Sequence, residues 1–237
     1  MGNSPADIIE SWIGAKQGDT IHRYIIDSYN KIVPIPNGWK MNYKAAYCAT
    51  TTSAAYHLAG LDKYFPSSAS CSDQINKAKK MGIWVEDDKY IPKRNDCIMY
   101  DWSDSKDYAV TDNQNAPDHT GIVLGVENGI ISVCEGNMGS THKVGIRKLK
   151  VNGRYIRGFI VPNVKIEGNK RPVLKLGSKG EDVKYLHVKL KALGYGVNIY
   201  NQVFDETTKN CVMHFQKVNK LEVDGIVGKM TWRALDE

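Results

Sequence analysis

Apolar residues return at helical spacing in the first third of the chain and gather in short β-branched runs in the middle, which predicts helices first and strands after. Ser4-Pro5 joins an N-cap residue to a proline suited to the first turn, and Ile8, Ile9, Trp12 and Ile13 form one apolar face behind it. Gly18-Asp19-Thr20 breaks that pattern. Ile21, Tyr24, Ile25, Ile26 and Tyr29 then mark the inward side of a second helix. Pro34 to Gly38 reads as a loop. From Ala46 to Leu58 small and apolar residues run on without Gly or Pro, and Gly60 stands where a C-cap would, so a buried helix is expected with Cys48 in its first turn. A further helical stretch covers residues 74–81.

Residues 96–102, 120–126, 129–135 and 155–161 are short, β-branched and bounded by Gly, Asn or Pro, the texture of strands. Helices followed by strands imply an α+β domain, with N-terminal helices on an antiparallel sheet. Residues 103–117, polar and rich in Asp and Asn, read as an exposed loop over the site. Residues 163–172 are a polar, glycine-containing linker, so 1–162 is expected to be one domain and 173–237 a second. In the second, residues 201–212 align with 224–235 at an offset of 23, each copy a tight turn running into a helix. Leu186, Leu190 and Leu193 mark a helix ahead of them. About 65 residues is near the lower limit for a domain that folds alone.

Composition adds limits. At 237 residues, with 42% hydrophobic and 24% charged residues, the chain is ordinary for a soluble protein. The net charge of +6 is uneven: residues 1–163 carry 19 basic against 17 acidic side chains, residues 164–237 carry 13 against 9. A basic module favours polyanionic partners. No basic amphipathic helix or Arg-rich arm points to nucleic acid. No apolar run approaches the ~18–20 residues of a membrane span, and the N-terminus lacks signal-peptide regions and misses the myristoylation pattern at Ala6. The expectation is a soluble protein made in the cytoplasm, with no stable membrane association. Five cysteines, an odd number without CxxC spacing, indicate neither a disulfide framework nor a zinc knuckle.

The candidate chemistry is a thiol, an imidazole and a carboxylate in that order. At a helix N-terminus Cys48 meets the positive end of the macrodipole and unpaired N–H groups, which favour the thiolate; position alone fits a buried structural thiol equally well. His119 leads into the strand 120–126, and Glu135 ends the next, followed by the turn Gly136-Asn137. If the two strands pair through residues 127–129, residue 119 faces about residue 135, bringing a carboxylate to the imidazole; Asn137 is the alternative polar partner. Cys134, next to Glu135, points to the opposite face and into the core. Cys71, Cys97 and Cys211 lack a nearby His with supporting context. No HExxH or comparable metal spacing occurs.

Tyr47-Cys48-Ala49-Thr50, the strand Asn95 to Trp102, Asp118-His119-Thr120-Gly121-Ile122-Val123 and Val133-Cys134-Glu135-Gly136-Asn137 together resemble a CHAP domain of the papain-like NlpC/P60 group, over residues 4–162. The resemblance implies peptidoglycan cleavage, at the muramoyl–L-alanine amide or within the stem peptide and cross-bridge. It implies Cys48 as nucleophile, His119 as base, and Glu135 and Asn137 as the orienting pair. Tyr47 replaces the frequent Trp, and Arg94-Asn95-Asp96 replaces a Pro-Gly-Asp turn. The acidic calcium loop of some members is absent, so no metal or other cofactor is expected. Leu176 to Val183, Leu193 to Tyr195 and Val223 to Trp232 resemble a three-helix peptidoglycan-binding domain. Candidate substrate contacts are Tyr43, Tyr47 and Trp102 in the first domain and Asp224, Gly225 and Trp232 in the second, where these three fit a fold-forming role as well. The combination resembles a phage endolysin, released through a holin lesion if phage-encoded. A bacterial autolysin or wall-remodelling enzyme, a catalytically inactive wall-binding protein and a metal-dependent amidase are the alternatives.

Overall fold

Helices begin where a polar cap stands ahead of an apolar stretch. In the computed structural model, which describes residues 4–87, 89–103, 115–164 and 171–236, α1 (Pro5–Glu10) opens on a capping box. Ser4 Oγ accepts from the Asp7 N–H, and the Asp7 carboxylate accepts from the Ser4 N–H at 3.0 Å. The helix is shorter than its apolar face suggests, and Ile13 lies exposed beyond it. Asp19 caps α2 (Thr20–Tyr29) by accepting from the His22 N–H at 2.7 Å. α3 (Cys48–Leu58) is buried along almost its whole length. α4 (Cys71–Met81) starts three residues earlier than its apolar spacing indicates, because Ser70 caps it.

Six strands form one antiparallel sheet: β1 (Trp84–Val85), β2 (Cys97–Tyr100), β3 (His119–Glu127), β4 (Ile130–Met138), β5 (Lys143–Lys150) and β6 (Ile156–Ile160), in the order β1-β6-β2-β3-β4-β5. Two of them, β1 and β5, are absent from the sequence reading. β1 is two residues long. β5 is an edge strand whose lysines and arginine mask its period, a composition that also discourages further strand pairing. One face of the sheet holds a core of Ile98, Tyr100, Val123, Ile131, Val133, Ile156 and Phe159. α1 and α3 pack against β3 and β4. The approach of α3 depends on Gly136, since a Cβ there would fall 2.2 Å from Thr51 Oγ1. Cys134 is buried, with its thiol directed at the Ile9 carbonyl of α1.

The β3–β4 register differs from the expected one. Glu127 pairs with Ile130 across the two-residue turn Asn128-Gly129, and a bulge at Leu124 shifts the ladder so that Ile122 faces Cys134. Continued outward, this pairing sets Glu135 opposite Gly121 rather than opposite His119. The expected loop at 103–117 falls mostly on residues 104–114, which lie outside the described residues.

Residues 4–164 and 171–236 fall in separate compact units. In the second, α5 (Glu181–Ala192), α6 (Glu206–Val218) and α7 (Lys229–Asp236) enclose Leu174, Leu186, Leu190, Phe204, Val212, Val227 and Trp232. α6 and α7 begin 23 residues apart, the offset of the sequence repeat. Leu193 departs from its expected place, lying exposed at the end of α5. No described helix is long and apolar enough to cross a membrane.

Candidate active site

Three elements converge on one sulfur. Cys48 is the first residue of α3, and its N-cap, Tyr47, makes no side-chain capping bond, so the first-turn N–H groups remain available to an anion. His119 starts β3 and is near enough to the Cys48 sulfur for each group to shift the other's pKa. Its Nε2 lies 3.1 Å from Glu135 Oε2. Glu135 sits diagonally across the ladder and reaches the imidazole by lying over Gly121. A Cβ at 121 would meet Glu135 Cγ at 2.6 Å. The missing side chain is what lets the carboxylate in.

Glu135 has a second partner. Arg147, from β5, donates through Nε to both carboxylate oxygens at 2.8 and 3.0 Å. Its guanidinium carbon lies 4.9 Å from the Trp102 ring centre and 5.6 Å from that of Tyr100. Tyr100 pairs directly with His119 across β2 and β3, and the two rings stack at 5.9 Å. Trp102 stacks on Tyr100 at 4.7 Å and lies 6.0 Å from His119. The Asp118 carboxylate accepts from its backbone N–H at 2.7 Å. Neither Gly121 nor Arg147 stood out in the sequence. Gly121 was legible only with the correct register, and Arg147 only with β5.

The charges follow from these contacts. The Cys48 thiol is held well below the usual range, first by the bond from the Cys71 thiol and then, against its burial, by the ring and charge of His119 and the Ala49 N–H. The Cys48 and Cys71 sulfurs are 3.8 Å apart. Burial opposes the charged form of His119, yet the Cys48 sulfur and the Glu135 carboxylate outweigh it and push its pKa up to about 9. Burial likewise opposes ionised Glu135, and His119 and Arg147 together hold its carboxyl below the usual range. Both shifts favour a thiolate beside an imidazolium.

Other sequence candidates fall elsewhere. Asn137 adopts φ 61 in the irregular end of β4, and its Oδ1 faces His142 Nδ1 at 3.1 Å, so Glu135 alone of the expected polar pair holds the His119 ring. Tyr47 is fully buried, donating to the His142 carbonyl at 2.5 Å, and offers no surface to a substrate. Tyr43 is 42% exposed, and its hydroxyl donates to Asp27 at 2.7 Å. Trp102, 38% exposed, is the aromatic residue at the site. In the second unit Trp232 is buried and its indole N–H donates to the Pro172 carbonyl at 2.9 Å. The Asp224 carboxylate accepts from Gln216 Nε2 and the Ile226 N–H, both at 2.8 Å, while the Gly225 N–H donates to Gln216 Oε1 at 2.9 Å. Asp224 and Gly225 thus build the second turn with Gln216, and Trp232 packs from α7 against Pro172.

Two depressions adjoin the site. One, of about 320 Å³, is lined by Tyr29, Trp39, Met41, Ala45, Ala46 and Ser70 among others, next to the segments that carry Cys48 and Cys71. The other, of about 450 Å³, runs along Trp102, Arg147, Lys150, Arg154 and Tyr155. Among the described residues no group of three or more His, Cys, Asp or Glu is placed to hold a metal ion.

Residues 179–235, within the second unit, match a family described as "Putative peptidoglycan binding domain". A 93-residue stretch is 37% identical to a "Probable CtpA-like serine protease" of Staphylococcus aureus, covering 35% of this chain and 19% of that protein. The corresponding protein of Staphylococcus epidermidis is 34% identical over the same shares. The chain thus spans about a fifth of the length of these curated relatives. Among solved structures, a Burkholderia AP3 phage endolysin is 39% identical over 27% of this chain and 24% of its own, with a TM-score of 0.26. A peptidoglycan-binding protein from Clostridioides difficile is 25% identical over 53% of this chain and 62% of its own, at 0.28. Superpositions this loose say nothing about fold.

Proposed function

We propose that the chain is a cysteine-dependent peptidoglycan hydrolase: a papain-like CHAP domain that cleaves an amide of the cell wall, joined through residues 163–172 to a three-helix module that holds it there. The observation that carries this reading is the Cys48–His119–Glu135 line, with the sulfur at a helix N-terminus and the imidazole held from behind by a buried carboxylate. The thiolate attacks the amide carbonyl. The Cys48 N–H and the first turn of α3 face the charge that develops on oxygen. His119, already protonated, delivers its proton to the leaving amine and then draws one from the water that releases the product. Glu135 keeps the ring aligned and compensates its charge, and Arg147 keeps Glu135 ionised. The depression along Trp102 and the basic side chains receives part of an extended substrate beside the site. Binding by the second unit raises the local concentration of bonds to be cut.

Both muramoyl–L-alanine amidase and stem-peptide or cross-bridge endopeptidase activity fit this arrangement. Release through a holin lesion applies if the chain is phage-encoded. The test uses purified cell walls: Cys48→Ala should stop the appearance of new amines while the protein still pellets with the walls. Undiminished amine release by that variant removes Cys48 from the mechanism, and pelleting without amine release by the unaltered chain leaves only a wall-binding protein.

A further inference from the structure

A hydrolase of this kind consumes one sulfur, yet the site holds two. Cys48 and Cys71 are the first residues of α3 and α4, both are free thiols, and their sulfurs lie 3.8 Å apart. A disulfide needs about 2.05 Å, so the sulfurs must approach by about 1.8 Å. Both residues stand in first helical turns, where a change of χ1 moves the sulfur without breaking the helix. Their surroundings differ: Cys48 is half-buried, whereas Cys71 is buried. The outer sulfur meets an oxidant first, and the inner one waits at contact distance.

We propose that Cys48 and Cys71 form a paired modification site, which a peroxide closes into an intramolecular disulfide that reversibly masks the Cys48 sulfur. The Cys48 thiolate attacks the O–O bond; an S–O bond forms, the O–O bond breaks, and the departing hydroxide takes a proton to become water. Cys71 then attacks the sulfenic sulfur. The S–S bond forms, the S–O bond breaks, and a second water leaves with the Cys71 proton. In sum, two thiols and one peroxide give one disulfide and two waters, the sulfurs losing the two electrons that the peroxide gains. Loss of hydrolysis on closure rests on the nucleophile reading of Cys48; formation of the bond rests only on the two sulfurs.

The test treats the reduced full chain with hydrogen peroxide, alkylates the remaining thiols with iodoacetamide and digests with trypsin without reductant. The expected chain loses two of its five thiols. Peptides 45–63 and 64–77 appear joined, two hydrogens lighter than their sum, and separate on adding dithiothreitol. Wall lysis falls as the joined peptide appears and returns on reduction. In Cys71→Ser the same treatment carries Cys48 on to sulfinic acid, and reduction no longer restores lysis. Sulfinic or sulfonic acid on Cys48 of the unaltered chain while Cys71 stays alkylated overturns the proposal. So does a linked peptide joining either cysteine to a different one. Should the joined peptide form in a chain whose reduced state cuts no amide, the disulfide stands and the hydrolase reading falls.

Discussion

Replacing Gly121 with alanine puts one methyl carbon 2.6 Å from Glu135 Cγ, 2.6 Å from Val133 Cγ1 and 2.8 Å from the Cys134 carbonyl oxygen. Carbon–carbon contacts are comfortable at about 3.5–4.0 Å, so Glu135 must retreat by about 1 Å. Rotating its side chain cannot absorb the change, because the carbonyl is backbone and Val133 belongs to the packed core. Overpacking of this kind costs about 1–3 kcal/mol of stability. The larger effect should fall on the reaction: a 1 Å displacement of the group that aligns His119 lowers the rate about 100-fold. The assay pairs thermal melting of the variant with its initial rate of amine release from cell walls at a temperature where it stays folded. A folded Gly121→Ala chain that cuts at the unaltered rate would show that Glu135 need not lie where it does, and the argument for its role would fail.

Four further outcomes follow from the structure. In a kcat/KM profile the working pair exists above the lowered Cys48 pKa and below the His119 pKa of about 9; activity should fall with acid as the thiolate gains a proton and fall through about pH 9 as the imidazolium loses its own. Glu135→Gln removes charge that supports the imidazolium, so the alkaline limb should move to lower pH, and an unmoved limb speaks against the contact. Arg147→Met leaves Glu135 with one ionic partner and should destabilise the first unit by about 1–3 kcal/mol, measured by urea unfolding, with wall pelleting unchanged. Trp232→Ala empties a buried site and breaks the bond to Pro172, which should cost the second unit about 3–5 kcal/mol; calorimetry should show its transition lowered, with hydrolysis of soluble wall fragments retained.

Helix positions were legible because each depends on local chemistry: Ser4 and Asp19 both cap a helix, and the unbroken small residues after Ala46 are those of a helix buried on all sides. The strands of the sheet's middle were legible by their β-branched runs. What escaped depends on long-range pairing. The tight turn and the bulge at Leu124 leave the β3–β4 ladder about two positions from the expected pairing, so His119 and Glu135 meet diagonally, by way of a glycine whose importance no local pattern signals. Arg147 was hidden in a strand whose alternate lysines look like surface. Tyr47 and Trp232 read as substrate contacts because an aromatic residue beside a motif looks the same whether it faces solvent or core; only their hydrogen bonds to the carbonyls of His142 and Pro172 decide the matter. Asn137 sits two residues from Glu135 on the same strand, but left-handed backbone at that position sends its side chain to His142.

The most direct measurement of the central claim is to trap the covalent intermediate. The chain is mixed with a defined soluble wall fragment, quenched in acid within the turnover time and digested, and the peptide of residues 45–63 is weighed. An acyl group from the fragment on Cys48, absent from Cys48→Ala and from a His119→Ala chain that lacks the proton donor for the leaving amine, is the predicted result. Amide cleavage that proceeds with that peptide unmodified, and continues at the same rate in Cys48→Ala, would contradict it.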